Sequence, residues 1–386
     1  MRYELASSTW GEEEIEAINK VVQSGNFTMG ENVREFEKQF ASFFNSKYCV
    51  MVNSGSSANL IAIASLFFKK DSPLKIGDEV IVPAVSWATT YHPLNQYGLK
   101  LKFVDIDINT LNYDLKKLES AISINTKAII AVNLLGNSND FKKINELIQG
   151  KNILLIEDNC ESMGAKFDSK YAGTHGILGT FSGFFSHHIS TMEGGMILTD
   201  TEELYHIMLS LRAHGWTRDL PTNNHLVKKE VNPFDESFRF ILPGYNLRPL
   251  EFSGAIGIEQ LKKLPSFINS RRENAKYFLE KFKKSDFILQ REIGESSWFG
   301  FSLIMKDQTI SREKIINKLI EKKIDVRPIV SGNFVKNEVI KYYNYEVFSD
   351  LINSEHLDKF GFFVGNHHYD IKPKIDYLFQ TLSDVN

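Results

Sequence analysis

The chain has 386 residues, enough for one large domain and a smaller companion, and its 45 basic and 48 acidic side chains leave a net charge of −3. That balance excludes a polyelectrolyte; basic stretches such as "LVKKEV" (Lys228, Lys229) and "RRENAKYFLEKFKK" read as solvated faces, so no nucleic-acid partner is expected. The N-terminus lacks the apolar core of a secretory signal, and runs such as "LIAIASLFF" fall short of the roughly 18 residues a span requires, so the expectation is a cytoplasmic protein without membrane contact.

In chain order, residues 1–30 read as an N-terminal segment. From about residue 48, short β-rich runs alternate with helical patterns: "KYCVMVNS", then the helix "SANLIAIASLFF", then "GDEVIVPAVSW", "LKFVDID", "KAIIAVNLL", "NILLIEDNC", "GTFSGFFS" and "GGMILTD". Near-continuous Val/Ile/Leu runs mark strands buried on both faces. Their alternation with helices predicts a mostly parallel α/β sheet over residues 31–250, with ligand residues at the strand ends. The stretch from His214 to Pro249 is polar, aperiodic and rich in aromatics, and a loop that long is expected to be functional or interfacial. Long helices flanking strands such as "WFGFSLIMK" predict a smaller α+β domain over residues 251–386, joined by the N-terminal segment.

Several of these elements end in residues able to carry chemistry. In "VNSGSSANL" a strand runs through Gly55 and Ser56 into an apolar helix, whose free amides and positive dipole end suit a phosphate, although serine is also an ordinary helix cap. Trp87 follows a strand and could stack on a flat ring or fill core. Glu157 and Asp158 close an apolar strand, where a carboxylate needs a partner; a protonated pyridine nitrogen is one and backbone donors are another. The loop in "FSGFFSHHISTMEGGMILTD" holds His187 and His188, followed by Glu193-Gly194-Gly195. Adjacent residues on a strand face opposite ways, and no HExxH or CxxC accompanies them, so neither this pair nor His367-His368 predicts a metal site.

The order of phosphate turn, aromatic, strand-end Asp and a serine (Ser182) five residues before a loop histidine resembles the DegT/DnrJ/EryC1/StrS family of sugar aminotransferases. These are pyridoxal phosphate (PLP) enzymes of fold type I, the aspartate aminotransferase-like fold. The similarity runs from "FTMGENVREFEKQF" through "GYNLRPLE" to "RPI". Members commonly place a lysine, which tethers the cofactor, six residues before Glu-Gly-Gly. Here that residue is His187, and His188 stands where an asparagine is usual. An imidazole cannot replace the tether but carries protons well near neutral pH.

Within the family, "ASSTW", "IVPAVSW", "SHHISTMEGG", "AHGWTR" and "GESSWFGFS" are similar to the 3-dehydratase branch acting on GDP-4-keto-6-deoxy-D-mannose. That resemblance implies a hydro-lyase that takes an amino group from L-glutamate, passes through pyridoxamine phosphate (PMP) and releases 2-oxoglutarate and ammonia, toward colitose-type 3,6-dideoxysugars of lipopolysaccharide O-antigens. It further implies His187 as the catalytic proton carrier, Asp158 at the pyridine nitrogen, Trp87 on the ring, and Gly55, Ser56 and Ser182 at the phosphate. Glu161 is implied near the cofactor, and Asn246 would reach the phosphate from the neighbouring subunit of a homodimer. His214, Arg218 and Arg248 are weaker candidates near substrate or glutamate, with a surface role equally open for the two arginines. A related CDP-sugar dehydrase, also with histidine, depends on a cysteine-ligated iron–sulfur cluster; Cys49 and Cys160 are too few for one, so none is expected. Two other readings stay open: a nucleotide-sugar 4-aminotransferase, and a PLP-binding protein without catalysis.

Overall fold

The computed structural model describes residues 1–307 and 309–383. Fourteen strands follow one another: β1 (Tyr48–Val52), β2 (Glu79–Pro83), β3 (Lys100–Val104), β4 (Thr126–Val132), β5 (Leu154–Asp158), the short pair β6 (Lys166–Phe167) and β7 (Lys170–Tyr171), β8 (Leu178–Ser182), β9 (Gly195–Thr199), β10 (Phe287–Leu289), β11 (Gly300–Met305), β12 (Val326–Arg327), β13 (Tyr345–Val347) and β14 (Gly361–Gly365). Eight of them form one sheet in the order β1-β9-β8-β5-β4-β2-β3-β13. All its pairings are parallel except those of β9 with β1 and with β8. The expected mostly parallel sheet is therefore present, and its Val/Ile/Leu runs are buried on both sides, with Val50, Val80, Ile81, Ile129 and Ile197 all inaccessible to solvent.

A second, antiparallel sheet, β10-β11-β14-β12, packs under the C-terminal helices. The 32-residue helix Glu251–Phe282 joins the two units: Leu261 and Leu264 enter the core beside β1 and β9, and Phe278 and Phe282 enter the core of the small sheet. The N-terminal segment packs with the small unit, as expected, whereas β13 crosses the expected division of the chain. Tyr3, in the N-terminal segment, lies wholly within the small unit's core and donates through its hydroxyl to the Gly365 carbonyl at 2.6 Å. β13, from the C-terminal third, adds in parallel to the edge of the large sheet beside β3. A charge cluster holds it there, with buried Lys102 reaching Glu346 at 3.3 Å and Glu79 at 2.8 Å. The carboxyl ends of β4, β5 and β8 open on the cleft between the units, where the candidate residues gather.

Candidate active site

A cavity of about 650 Å³ lies over these strand ends, lined by Gly55, Ser56, Trp87, Asp158, Glu161, Ser182 and His187 among others. All but one of the cofactor and catalytic candidates thus share one space; the exception is Asn246.

The turn after β1 is built by Ser54, whose hydroxyl caps the helix Gly55–Ser65 by accepting from the Ser57 amide at 3.1 Å. Its carbonyl takes the Ala58 amide at 3.0 Å, so the amides of Gly55 and Ser56 have no acceptor among the described residues. Glycine is required at 55 by close approach: a Cβ there would sit 2.6 Å from the Ser182 Cβ on β8. The Glu-Gly-Gly turn has the same cause, since a Cβ on Gly195 would lie 2.1 Å from the Ser54 carbonyl oxygen and one on Gly194 2.3 Å from Thr191 Oγ1. Small residues on three elements leave a pocket floored by open amides and hydroxyls, which fits a phosphate.

The two acids closing β5 separate by strand alternation. Glu157 turns away and is fully satisfied by the amides of Gly173 (2.6 Å) and Gly176 (2.7 Å) and by Asn133 Nδ2 (3.2 Å); burial nonetheless pushes its carboxyl up. Asp158, only 7% exposed, faces the cavity and accepts from Asn59 Nδ2 (2.9 Å), Thr90 Oγ1 (2.7 Å) and the Cys160 amide (3.2 Å). Donors on three elements aim this carboxylate. Asn59 and Thr90 escaped the sequence reading because nothing in their spacing shows that two separate helices converge on one acid.

Glu161 follows in the turn after β5 and accepts from the Leu135 amide at 3.0 Å, on a residue held at a positive φ of 52°. Burial, reinforced by Asp158 and opposed by that amide, pushes its carboxyl up to about 7. Trp87 stands at the start of the helix Ala88–Gln96 with 59% of its surface exposed, so one ring face is free to cover a flat ligand.

His187 sits in the turn between β8 and β9, its amide donating to the Phe184 carbonyl at 2.9 Å. The ring leans on Phe299, just ahead of β11, with centroids 5.3 Å apart, and its Nδ1 is buried with no partner. Burial first, and then the Arg271 guanidinium, draw it down to about 4 against the pull of the Phe184 carbonyl, so the imidazole is neutral at physiological pH. His188 points the other way into the small unit, its Nε2 3.2 Å from the Ser297 carbonyl. Among the described residues no group of three or more His, Cys, Asp or Glu is placed to hold a metal.

Arg327, at the end of β12, is the one cationic side chain among the described residues lining the cavity, opposite three carboxylates, Asp158, Glu161 and Glu193. The sequence reading quoted the "RPI" containing it without assigning it a role. The remaining candidates lie elsewhere. Asn246 accepts from Arg248 Nε at 3.0 Å, Arg218 lies 4.2 Å over the Trp216 ring, and His214 adjoins the same indole; none of the four lines the cavity.

The arrangement suits PLP. A carboxylate aimed by three donors, a floor of open amides, an aromatic with a free face and an imidazole with an orphaned nitrogen surround one space. Such a group would be held by Asp158 at its ring nitrogen and by the Gly55–Ser56 turn and Ser182 at its phosphate.

Comparison with known proteins agrees with this geometry. A profile of the DegT/DnrJ/EryC1/StrS aminotransferase family matches residues 8–363. The chain is 60% identical over 386 residues to the GDP-4-keto-6-deoxy-D-mannose 3-dehydratase of Yersinia pseudotuberculosis, covering 99% of this chain and 98% of that protein. A crystal structure of GDP-4-keto-6-deoxymannose-3-dehydratase with a trapped PLP-glutamate geminal diamine superposes with a TM-score of 0.98 at 59% identity, covering 99% of this chain and all of that one. A mutant of that enzyme with bound GDP-perosamine matches equally well, at a TM-score of 0.98, 59% identity and the same coverage.

Proposed function

Because this chain belongs to the DegT/DnrJ/EryC1/StrS aminotransferase family, we propose that it acts as the dehydratase members do, removing the C3 hydroxyl of GDP-4-keto-6-deoxy-D-mannose. It is a PLP-dependent lyase that uses L-glutamate as co-substrate. The observation that carries this reading is His187: a neutral imidazole lines the cavity at the position where transaminating relatives carry a tethering lysine. The cofactor's chemistry is that of a pyridinium electron sink bearing, in its PMP form, an amino group drawn from glutamate.

The residues of the chain divide the remaining work. Asp158 keeps the pyridine nitrogen protonated, and Asn59 and Thr90 hold that carboxylate in place. Gly55, Ser56 and Ser182 bind the phosphate, and Trp87 covers one ring face and excludes water. His187 accepts a proton on its imidazole nitrogen and hands it to the departing C3 hydroxyl, which leaves as water, so that proton is not delivered to the sugar's C4 as a transamination would require. Glu161 holds a proton near neutral pH and donates to the cofactor's polar edge. Arg327 meets a carboxylate of glutamate, being the positive charge at hand.

Asn246 reaches the phosphate in the site of a second copy, so the active form is a homodimer with shared sites. His214, Arg218 and Arg248 lie outside this chain's own cavity, where a surface role is equally open to the two arginines. Both cysteines are free, which supports a reducing, cytoplasmic setting.

Incubation with PLP, glutamate and GDP-4-keto-6-deoxymannose tests the proposal. Ammonia and 2-oxoglutarate formed together, with loss of the C3 oxygen by mass spectrometry, are expected. An amino sugar formed without ammonia would identify a 4-aminotransferase instead, and absence of turnover would favour a non-catalytic PLP protein.

A further inference from the structure

Behind the histidine pair lies a charge with no counter-ion. Arg271, on the helix Glu251–Phe282, is 4% exposed. Its guanidinium donates to the carbonyls of Phe299 (3.1 Å) and Asn366 (2.8 Å), while its Nε is buried without an acceptor. Arg212, buried as deeply, meets Glu37 at 2.5 Å, and neighbouring Arg272 meets Glu295 at 3.0 Å; Arg271 has no carboxylate at ion-pairing distance among the described residues. A buried cation left in this way is costly, and such an arrangement calls for a compensating use.

The use is visible in what surrounds it. The Phe299 carbonyl that Arg271 holds belongs to the residue whose ring lies 5.3 Å from the His187 ring and 5.8 Å from the His188 ring. We propose that Arg271 is a positioning residue for His187: it fixes the aromatic ring both imidazoles lean on, and it sets an uncompensated positive charge behind the pair.

The other groups facing His187 come from every side of the cavity. Asp158, Cys160 and Glu161 stand at the end of β5, Glu193 lies in the same turn, Arg327 is on β12, and His188 is its neighbour. Burial first, and then Arg271, draw the ring down against the pull of the Phe184 carbonyl. The same charge acts on His188, His367 and His368, each held low by burial first with Arg271 contributing; Lys263 adds to the effect on His368, and Lys374 and Glu4 act in opposite senses on His367.

This inference rests on His187 being the base proposed above, so its test reads the imidazole directly. The full-length protein is labelled at histidine Cε1, the His187 resonance is assigned by its loss in His187→Asn, and it is titrated by NMR in the native chain, Arg271→Gln and Arg271→Lys. In Arg271→Gln the midpoint rises by about one pH unit, and the acid limb of the kcat profile follows, for a roughly tenfold loss on that limb. Arg271→Lys, which keeps the charge, restores the native midpoint.

A folded Arg271→Gln protein with an unmoved midpoint overturns the proposal, as does a Lys variant that shifts as far as the Gln variant. Should Arg271→Gln not fold, Phe299→Leu keeps the guanidinium and the backbone carbonyl it holds but removes the ring that His187 leans on; kcat should fall while KM holds, and a native kcat there is equally fatal. A midpoint that rises in Arg271→Gln while the native chain performs no dehydration refutes the proposed function and leaves the Arg271 effect standing.

Discussion

Substituting Gly55 by alanine tests the phosphate cradle, and the structure sets the size of the effect. The new Cβ would lie 2.6 Å from the Ser182 Cβ, 2.9 Å from its Oγ and 3.2 Å from its Cα. Carbon atoms in comfortable contact sit about 3.5–4.0 Å apart, so the start of the helix Gly55–Ser65 must withdraw from β8 by about 1 Å. Neither side yields easily. Ser182 is buried and paired to Gly195 across the sheet, and the helix carries fully buried Ala58, Ile61 and Ala62. Overpacking of this kind costs about 1–3 kcal/mol, seen as a melting temperature lower by several degrees. The same movement parts the open amides of Gly55 and Ser56 from Ser182. Losing one hydrogen bond to a charged group costs about 1.5–3 kcal/mol, which is roughly a 10- to 150-fold weaker hold on PLP. Titration of the apoprotein with PLP, followed by cofactor absorbance beside a thermal melt, reads both numbers. Ser56→Ala, which removes a hydroxyl without a collision, separates them: affinity falls about tenfold and the melt stays. A Gly55→Ala protein that melts early yet binds PLP within about twofold of native would show that the turn serves packing alone.

Other substitutions address the remaining roles. Asp158→Asn keeps the shape but not the charge, and kcat should fall on the order of 100-fold, measured as 2-oxoglutarate release; native turnover would remove Asp158 from the site. His187→Asn should cost about 10²- to 10⁴-fold in dehydration with PLP affinity little changed, and retained activity by product mass spectrometry contradicts its role as base. Glu161, pushed up to about 7, keeps its proton below that pH and becomes an anion facing an anionic cofactor above it. PLP affinity should therefore weaken from pH 6 to pH 8, and Glu161→Gln, which cannot ionise, should abolish the difference; a dependence that survives the substitution points to another group. Chelators should leave turnover unchanged, whereas a loss reversed by added metal would reopen a metal-dependent reading.

The large sheet, the turn at Gly55–Ser56, the acids closing β5 and the departure at His187 were legible in the sequence, because each is a local matter. Apolar runs report burial, glycine and serine after a strand report a turn with free amides, and a missing lysine needs only a position to be noticed. Which of Glu157 and Asp158 faces the cavity depended on register within the sheet. Asn59 and Thr90 join Asp158 across 99 and 68 residues of chain, and Arg327 enters the cavity from the other unit. β13 adds to a sheet whose neighbouring strand is some 240 residues earlier, held by a buried lysine whose partners no spacing rule could pair. Arg271 read as one more basic residue on an amphipathic helix; only packing could strip it of water and of any carboxylate. Composition and local pattern determined which chemical groups this protein possesses. The tertiary structure decided which of them meet, since charge and proton affinity depend on neighbours brought together by folding rather than by order along the chain.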